Sequence, residues 1–178
     1  MHDPLAHVWE EQLNAFDAYL ARKRRAKNTR IKYRQQLLAL ARWAGERTPA
    51  SLTTQTLQFD YLEQWAAEFE RRHARPPTAR SERNAITAIK SFYNFLYVRG
   101  WLVDEAGREI ANPAGRIETP AIPRRRNDWL RDREDEAVLA ACATPIERIL
   151  TALLRWEGLR VGEAAELHQG DLDLTPGE

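Results

Sequence analysis

Apolar residues recur at helical spacing in four successive segments of this chain, and helix-breaking residues separate the segments. The first segment predicts a helix from about His7 to Arg22. The second predicts a helix that Asn28 and Thr29 cap and that ends before Gly45. The apolar stripes of these two helices are Leu5, Val8, Trp9, Leu13, Phe16 and Leu20, and Tyr33, Leu37, Leu40 and Ala44.

The third and fourth segments follow the same pattern. The third helix is predicted to start near the stretch SLTTQT and to end at ARPP, residues 74–77, because proline removes backbone donors and fixes backbone angles. Thr78 is predicted to cap the fourth helix, and Gly100 stands where a helix carboxyl terminus belongs. The two apolar stripes are Leu57, Tyr61, Leu62, Trp65 and Phe69, and Ile86, Ile89, Tyr93 and Leu96. Four helices with short connections predict an all-α bundle.

Between Asp104 and Asp128 the helical pattern disappears, and prolines together with the run Arg124–Arg126 indicate a linker. Two further helices are predicted over DREDEAVLAACA and IERILTALLRW, the second ending at Gly158, and DLDLTPGE predicts the start of a strand or turn. Cys142 is predicted to be a buried helix residue. It is the single cysteine of the chain, which excludes an internal disulfide.

Composition and charge limit the class of partner. The chain has 178 residues, is 43% hydrophobic, and lacks both a long apolar run and a signal-peptide pattern, so we expect a cytoplasmic protein with no membrane partner. Residues 1–126 contain 22 Lys and Arg against 14 Asp and Glu, a net of +8, whereas residues 127–178 carry −7. This asymmetry predicts that the amino-terminal part meets a polyanion.

The densest positive charge runs from Arg22 to Arg34, with eight basic residues and no acidic one. A second polar face, residues 78–90, has side chains suited to a DNA groove, and double-stranded DNA is therefore the predicted partner. A solvated basic face is the alternative interpretation of the run. The predicted DNA-binding residues are Lys27, Asn28, Thr29, Arg30, Lys32, Arg34, Thr78, Arg80, Ser81, Arg83, Thr87 and Lys90.

Motifs for common catalytic sites are absent from the sequence. It has no Gly-rich phosphate loop, no GxSxG, no HExxH and no Cys/His cluster, so we predict neither a cofactor nor a metal.

Several segments, in the same order, resemble the tyrosine recombinases, also called phage integrases. NTRIKYRQQLLAL and TARSERNAITAIKSFYNFLYVRG resemble the two DNA-facing helices of the SAM-like core-binding domain. NPAGRI and PAIPRRR resemble the linker to the catalytic domain, and EGLRVGEAAEL resembles the signature that brings an arginine and an acidic residue into the active site. The resemblance implies that Arg160 would stabilise charge on the scissile phosphate and that Glu163 would orient basic groups. From spacing alone, an ordinary surface ion pair fits these two residues equally well.

The other residues that the family needs are missing from this sequence. No lysine follows Lys90, no tyrosine follows Tyr97, and no His-x-x-Arg occurs. We therefore expect a core-binding domain at 1–112, a linker at 113–128 and the first helices of a truncated α+β catalytic domain at 129–178. DNA binding without strand cleavage is the expected activity of this chain alone. Other recombinase subunits are a further expected partner. Two alternatives remain. In one, a second polypeptide supplies the missing catalytic residues; in the other, the chain is an all-α interaction module that regulates other recombinase chains.

Overall fold

The computed structural model describes residues 4–122 and 130–171, apart from the side chains of residues 4–6 and 169. The described chain divides into two compact units, one on each side of residues 123–129.

The first unit is all-α, as the sequence predicts. A short 3-10 turn at Pro49–Ser51 follows the second helix, and a π-helical segment, Thr56–Tyr61, leads directly into the third. The four α-helices are α1 (Pro4–Arg22), α2 (Lys27–Ala44), α3 (Leu62–His73) and α4 (Ala79–Val98). Among the described helices of the whole chain, none combines the length and apolar composition that a bilayer crossing requires.

Aromatic side chains from α1 and α4 fill the centre of this bundle. Phe16 meets Phe92 edge to face at 5.5 Å between ring centroids, a favoured geometry for aromatic pairs. The buried polar groups of the aromatic residues have partners: Tyr93 Oη donates to the Pro49 carbonyl at 3.0 Å, and Trp9 Nε1 donates to the Arg47 carbonyl at 2.8 Å. Most of the predicted stripes are confirmed as core. Buried members are Trp9, Leu13, Phe16, Leu20, Leu37, Leu40, Ala44, Leu57, Tyr61, Leu62, Ile86, Ile89, Tyr93 and Leu96.

Two of the predicted helix boundaries are confirmed and one capping prediction is wrong. Thr78 caps α4, and Gly100 has φ of +66° just beyond its end. Asn28 and Thr29, however, lie inside the first turn of α2, which begins at Lys27 after Ala26 without a side-chain cap. The backbone of Ala26 performs the turn instead, since its carbonyl accepts hydrogen bonds from the N–H groups of Thr29 and Arg30.

The chain after α4 stays on the bundle for longer than the sequence predicts. Val103 and Glu109 form an isolated antiparallel bridge. Ala114 and Ile117 are buried in the core, although residues 113–128 read as linker. Packed structure therefore continues at least five residues beyond the predicted boundary at 112, because the side chains of Ala114 and Ile117 join the core. The predicted linker residues 123–128 lie outside the described residues.

The second unit contains α5 (Asp132–Ala141), α6 (Pro145–Trp156) and a short α7 (Val161–Ala165). Asp135 of α5 is buried and forms an ion pair with Arg155 of α6. Cys142 follows the end of α5 and is half-buried, so the prediction of a buried helix residue is wrong. Its thiol donates to the carbonyl of Val138.

The described residues of this unit contain no buried apolar side chain. Ile146 and Ile149 of α6 are 78% and 61% exposed. The strand or turn predicted after Asp171 lies outside the described residues.

Candidate nucleic-acid interface

The predicted basic run does not form one uniform surface. Lys27, Asn28 and Lys32, on the first half of α2, are exposed, and in the described part of the chain no carboxylate pairs with either lysine. The helix start also lacks a side-chain cap. Free N–H groups at a helix start favour anions, so the positive end of α2 and these two lysines act in the same direction.

Arg30, in contrast, forms an ion pair with a carboxylate of the neighbouring helix. Its Nε donates to Asp17 Oδ1 at 2.9 Å and its Nη2 to Oδ2 at 2.5 Å, which joins α2 to α1 by a bidentate pair. The hydrogen bond from Arg30 lowers the pKa of the Asp17 carboxyl. About 30% of each side chain remains exposed. The structure thus gives Arg30 a partner that a phosphate would have to displace, which the basic run alone does not reveal.

Arg34 has a similar local partner. Its Nη1 donates to the side-chain oxygen of Asn14 on α1 at 2.9 Å, and the residue is half-buried. Thr29 is also half-buried. The predicted contacts on α2 therefore divide into two groups. Lys27, Asn28 and Lys32 are exposed, whereas Arg30 and Arg34 form hydrogen bonds to α1.

The hydroxyl groups predicted to bind DNA on α4 are used within the helix. Thr78 Oγ1 accepts a hydrogen bond from the Ser81 backbone N–H at 3.2 Å and lies 3.0 Å from Ser81 Oγ. Thr87 Oγ1 donates to the Arg83 carbonyl at 2.7 Å. Arg80 and Arg83 are exposed, and their guanidinium groups have no ion-pair partner among the residues described. Of these polar residues, the two arginines are the ones free to meet a phosphate.

The last predicted residue on this helix, Lys90, is half-buried, and its Nζ donates to Thr119 Oγ1 at 3.3 Å. Arg83, Thr87 and Lys90 are spaced four and three residues apart, so they follow one face of α4.

Arg160 and Glu163, the predicted catalytic residues, lie together but not on one helical face. Arg160 precedes α7 in an extended conformation, and Glu163 is in its first turn. The Arg160 backbone N–H donates to Glu163 Oε2 and its Nη1 donates to Oε1, both at 2.7 Å. These backbone and side-chain hydrogen bonds lower the pKa of Glu163. The Arg160 side chain is 85% exposed, so its guanidinium is open to a further anion.

The same arrangement starts the other two helices of the second unit. The N–H of Arg131 donates to Glu134 and the N–H of Thr144 donates to Glu147, in each case three residues later. The contact between Arg160 and Glu163 is thus also a capping device of a common kind. Within residues 4–122 and 130–171, no group of three metal-binding side chains occurs.

One feature of the first unit was not predicted. A groove of about 830 Å³ lies between α2 and α3, lined by Trp43, Tyr61, Trp65 and Phe69 among others. Trp65, which belongs to the predicted apolar stripe of the third helix, and Trp43 both pack against the core and are half-buried along this groove. Trp43 Nε1 donates to Gln64 across it at 2.9 Å.

Comparison with known proteins adds direct evidence on the family. Residues 13–100 match the phage integrase N-terminal SAM-like domain. The chain is 32% identical over 158 residues to tyrosine recombinase XerC of Xanthomonas axonopodis pv. citri (strain 306), covering 82% of this chain and 48% of that protein. The chain belongs to the tyrosine recombinase family.

A tyrosine recombinase of Thermosipho africanus (strain TCF52B) is 29% identical over 94 residues, covering 51% of this chain and 31% of that protein. The similarity to the Xanthomonas recombinase covers more of the chain than residues 13–100, so it extends beyond the SAM-like domain of this family member. The matched part of this chain covers about half the length of the Xanthomonas relative, 48%, and 31% of the length of the Thermosipho relative.

Proposed function

We propose that this chain provides the DNA-binding part of a site-specific tyrosine recombinase, acting in DNA integration and recombination in the cytoplasm. The observation that carries the proposal is the division of the basic residues. Arg30 and Arg34 have partners on α1, while Lys27, Lys32, Arg80 and Arg83 present cationic groups without a carboxylate partner among the described residues. Free cations at two helix starts suit a polyphosphate backbone.

In this proposal the exposed cations contact phosphates and fix the position of the protein on duplex DNA. Sequence reading in the groove would fall to neighbouring exposed polar side chains, of which Asn28 and Asn84 lie on the same stretches of α2 and α4. We propose a core-binding domain that includes the packed residues up to Thr119, followed by a linker and by part of a catalytic domain.

The proposed role of Arg160 is to meet negative charge on a scissile phosphate, with Glu163 holding the guanidinium in place. A guanidinium lowers the barrier to phosphoryl transfer only when a nucleophile attacks. The sequence contains no tyrosine after Tyr97. We therefore propose that this chain alone binds DNA without cleaving it, and that cleavage requires residues from elsewhere, including other recombinase subunits.

A gel-shift titration against random duplex DNA at several salt concentrations tests this function. If about five phosphates are neutralised, the logarithm of the affinity should fall with the logarithm of salt at a slope of roughly −4 to −5. Lys32→Glu combined with Arg83→Glu should abolish the shift at moderate salt. Arg42→Glu is the matched control, because Arg42 is exposed on the same helix as Lys32 but near its other end.

Binding that is absent at low salt, or that does not respond to salt, would contradict the proposal and would favour the alternative of an all-α interaction module. Equal weakening by Arg42→Glu would show that net charge matters and that the assigned surface does not.

A further inference from the structure

The segment 110–119, here called the strap, is held against the bundle at several points. Ala114 and Ile117 are buried, with exposures of 0% and 2%. Thr54 Oγ1 donates to the Pro113 carbonyl at 2.7 Å, and the Glu118 backbone N–H donates to Gln58 Oε1 at 3.2 Å. The strap is therefore fixed by apolar burial and by two hydrogen bonds.

Gln58 belongs to the π-helical segment Thr56–Tyr61. Such segments are rare, and they often occur where a helix has a functional role. In this case the widened turn includes a side chain that holds the strap.

On its other side the strap reaches the proposed DNA-binding face of α4. Thr119 Oγ1 accepts the hydrogen bond from Lys90 Nζ at 3.3 Å. Lys90 shares a helix face with Arg83, which is exposed and free of ion-pair partners in the described chain. The strap thus lies between the π-helical segment and the cationic face of α4.

Arg116 is the exposed cation of the strap. It sits between buried Ala114 and buried Ile117, and no carboxylate of the described residues pairs with it. Three peptide units separate it from Thr119, so their Cα atoms lie at most about 11 Å apart. Its guanidinium and the Lys90 ammonium can therefore reach phosphates within a few nucleotides of each other.

We infer that Arg116 is a further phosphate-contacting residue, and that docking of the strap on Thr54 and Gln58 positions it beside α4. The inference rests on the proposed function, because it adds one contact to the same DNA surface. It also assigns a role to a segment that reads as linker in the sequence.

The first test compares the complete chain with Arg116→Glu and Arg116→Lys in gel-shift titrations on one random duplex. Arg116→Glu should weaken binding about tenfold at moderate salt and reduce the magnitude of the salt slope by about 1, whereas Arg116→Lys should retain both. Circular dichroism should show unchanged helix content, because the side chain is exposed.

The second test releases the strap with three substitutions: Thr54→Val and Gln58→Leu remove its two hydrogen bonds, and Ile117→Ala removes most of its apolar burial. In this background Arg116→Glu should cost much less than in the native background, because the guanidinium is no longer held near the DNA. If the cost stays at tenfold, positioning by the strap is wrong even though the contact exists.

The outcomes separate the two proposals. Native binding with a normal salt slope, together with an Arg116→Glu variant of equal affinity, overturns the inference and leaves the proposed function standing. Absence of native binding overturns both.

Discussion

Asp17 of α1 and Arg30 of α2 share two hydrogen bonds, and this pair removes one cation of the basic run from the proposed DNA surface. We expect Arg30→Ala to lower the stability of the first unit only modestly, because both side chains are partly solvated. Lys32→Ala, on the same helix but exposed, should leave the melting temperature unchanged and weaken DNA binding. Thermal unfolding and gel shifts of both variants check this division. The reverse pattern would place Arg30 on the DNA surface.

The Asp17 carboxyl also predicts a pH dependence of stability. Its pKa is lowered in the folded state, chiefly by the hydrogen bond from Arg30. Its contribution is therefore complete above the ordinary value of about 4 and is lost as pH falls through the lowered folded-state pKa. Melting temperatures of the native chain and of Asp17→Asn should differ at pH 7 and converge in strong acid. A difference that persists at low pH would assign the effect of the substitution to packing.

Replacing the Thr78 hydroxyl should lower the stability of the fold, whether or not this hydroxyl also contacts DNA. Because it accepts the Ser81 N–H at the start of α4, Thr78→Ala should cost about 1 kcal/mol of stability. Thr78→Ser preserves the acceptor and should behave like the native chain in urea unfolding. If both variants unfold like the native chain, the cap contributes nothing to stability.

Arg160→Ala should leave DNA binding by this chain unchanged, because the proposed contacts lie in the first unit. Incubation with a nicked duplex, followed by denaturation, should show no protein joined to DNA for the native chain or the variant. Tyr61 and Tyr93 are buried in the core and burial raises the pKa of both, so neither hydroxyl is placed to ionise and attack a phosphate. A covalent adduct would mean that one of the five tyrosines attacks phosphate. The candidates would be Tyr19, Tyr33, Tyr61, Tyr93 and Tyr97.

Amide hydrogen exchange should distinguish the two units. The first unit buries a continuous apolar core, whereas the described residues of the second bury no apolar side chain. Local opening costs little where few apolar contacts are lost. Exchange should therefore be fast in α5, α6 and α7 and slow in α1 and α4. Equal protection would show that the second unit is stable by itself.

The fold of the first unit was largely readable from sequence because its helices bury regular stripes. Leu37, Leu40 and Ala44 repeat at helical spacing, and the structure buries all three. The sequence predicts the start of α2 wrongly, because Asn28 is a good capping residue in general, while the backbone of Ala26 forms the turn here. Local residue preference does not report which neighbour completes a turn.

The candidate site was less predictable than the fold, since charge density in sequence does not show pairing across helices. Arg30 and Lys32 are two residues apart in one basic run, yet only the first faces Asp17. Arg116 lay in a stretch without periodicity, and its position depends on long-range contacts of Thr54 and Gln58. Such contacts between distant segments leave no local pattern.

The π-helical segment Thr56–Tyr61 makes this part of the chain sensitive to length. Removing one residue from it would favour an ordinary α-helix, and each residue of such a helix turns the chain by about 100°. Either Thr54 and Gln58 or the buried face of α3 would then point away from its present neighbours. Homologous recombinases with a one-residue deletion here should therefore also carry compensating changes in the residues that correspond to the strap.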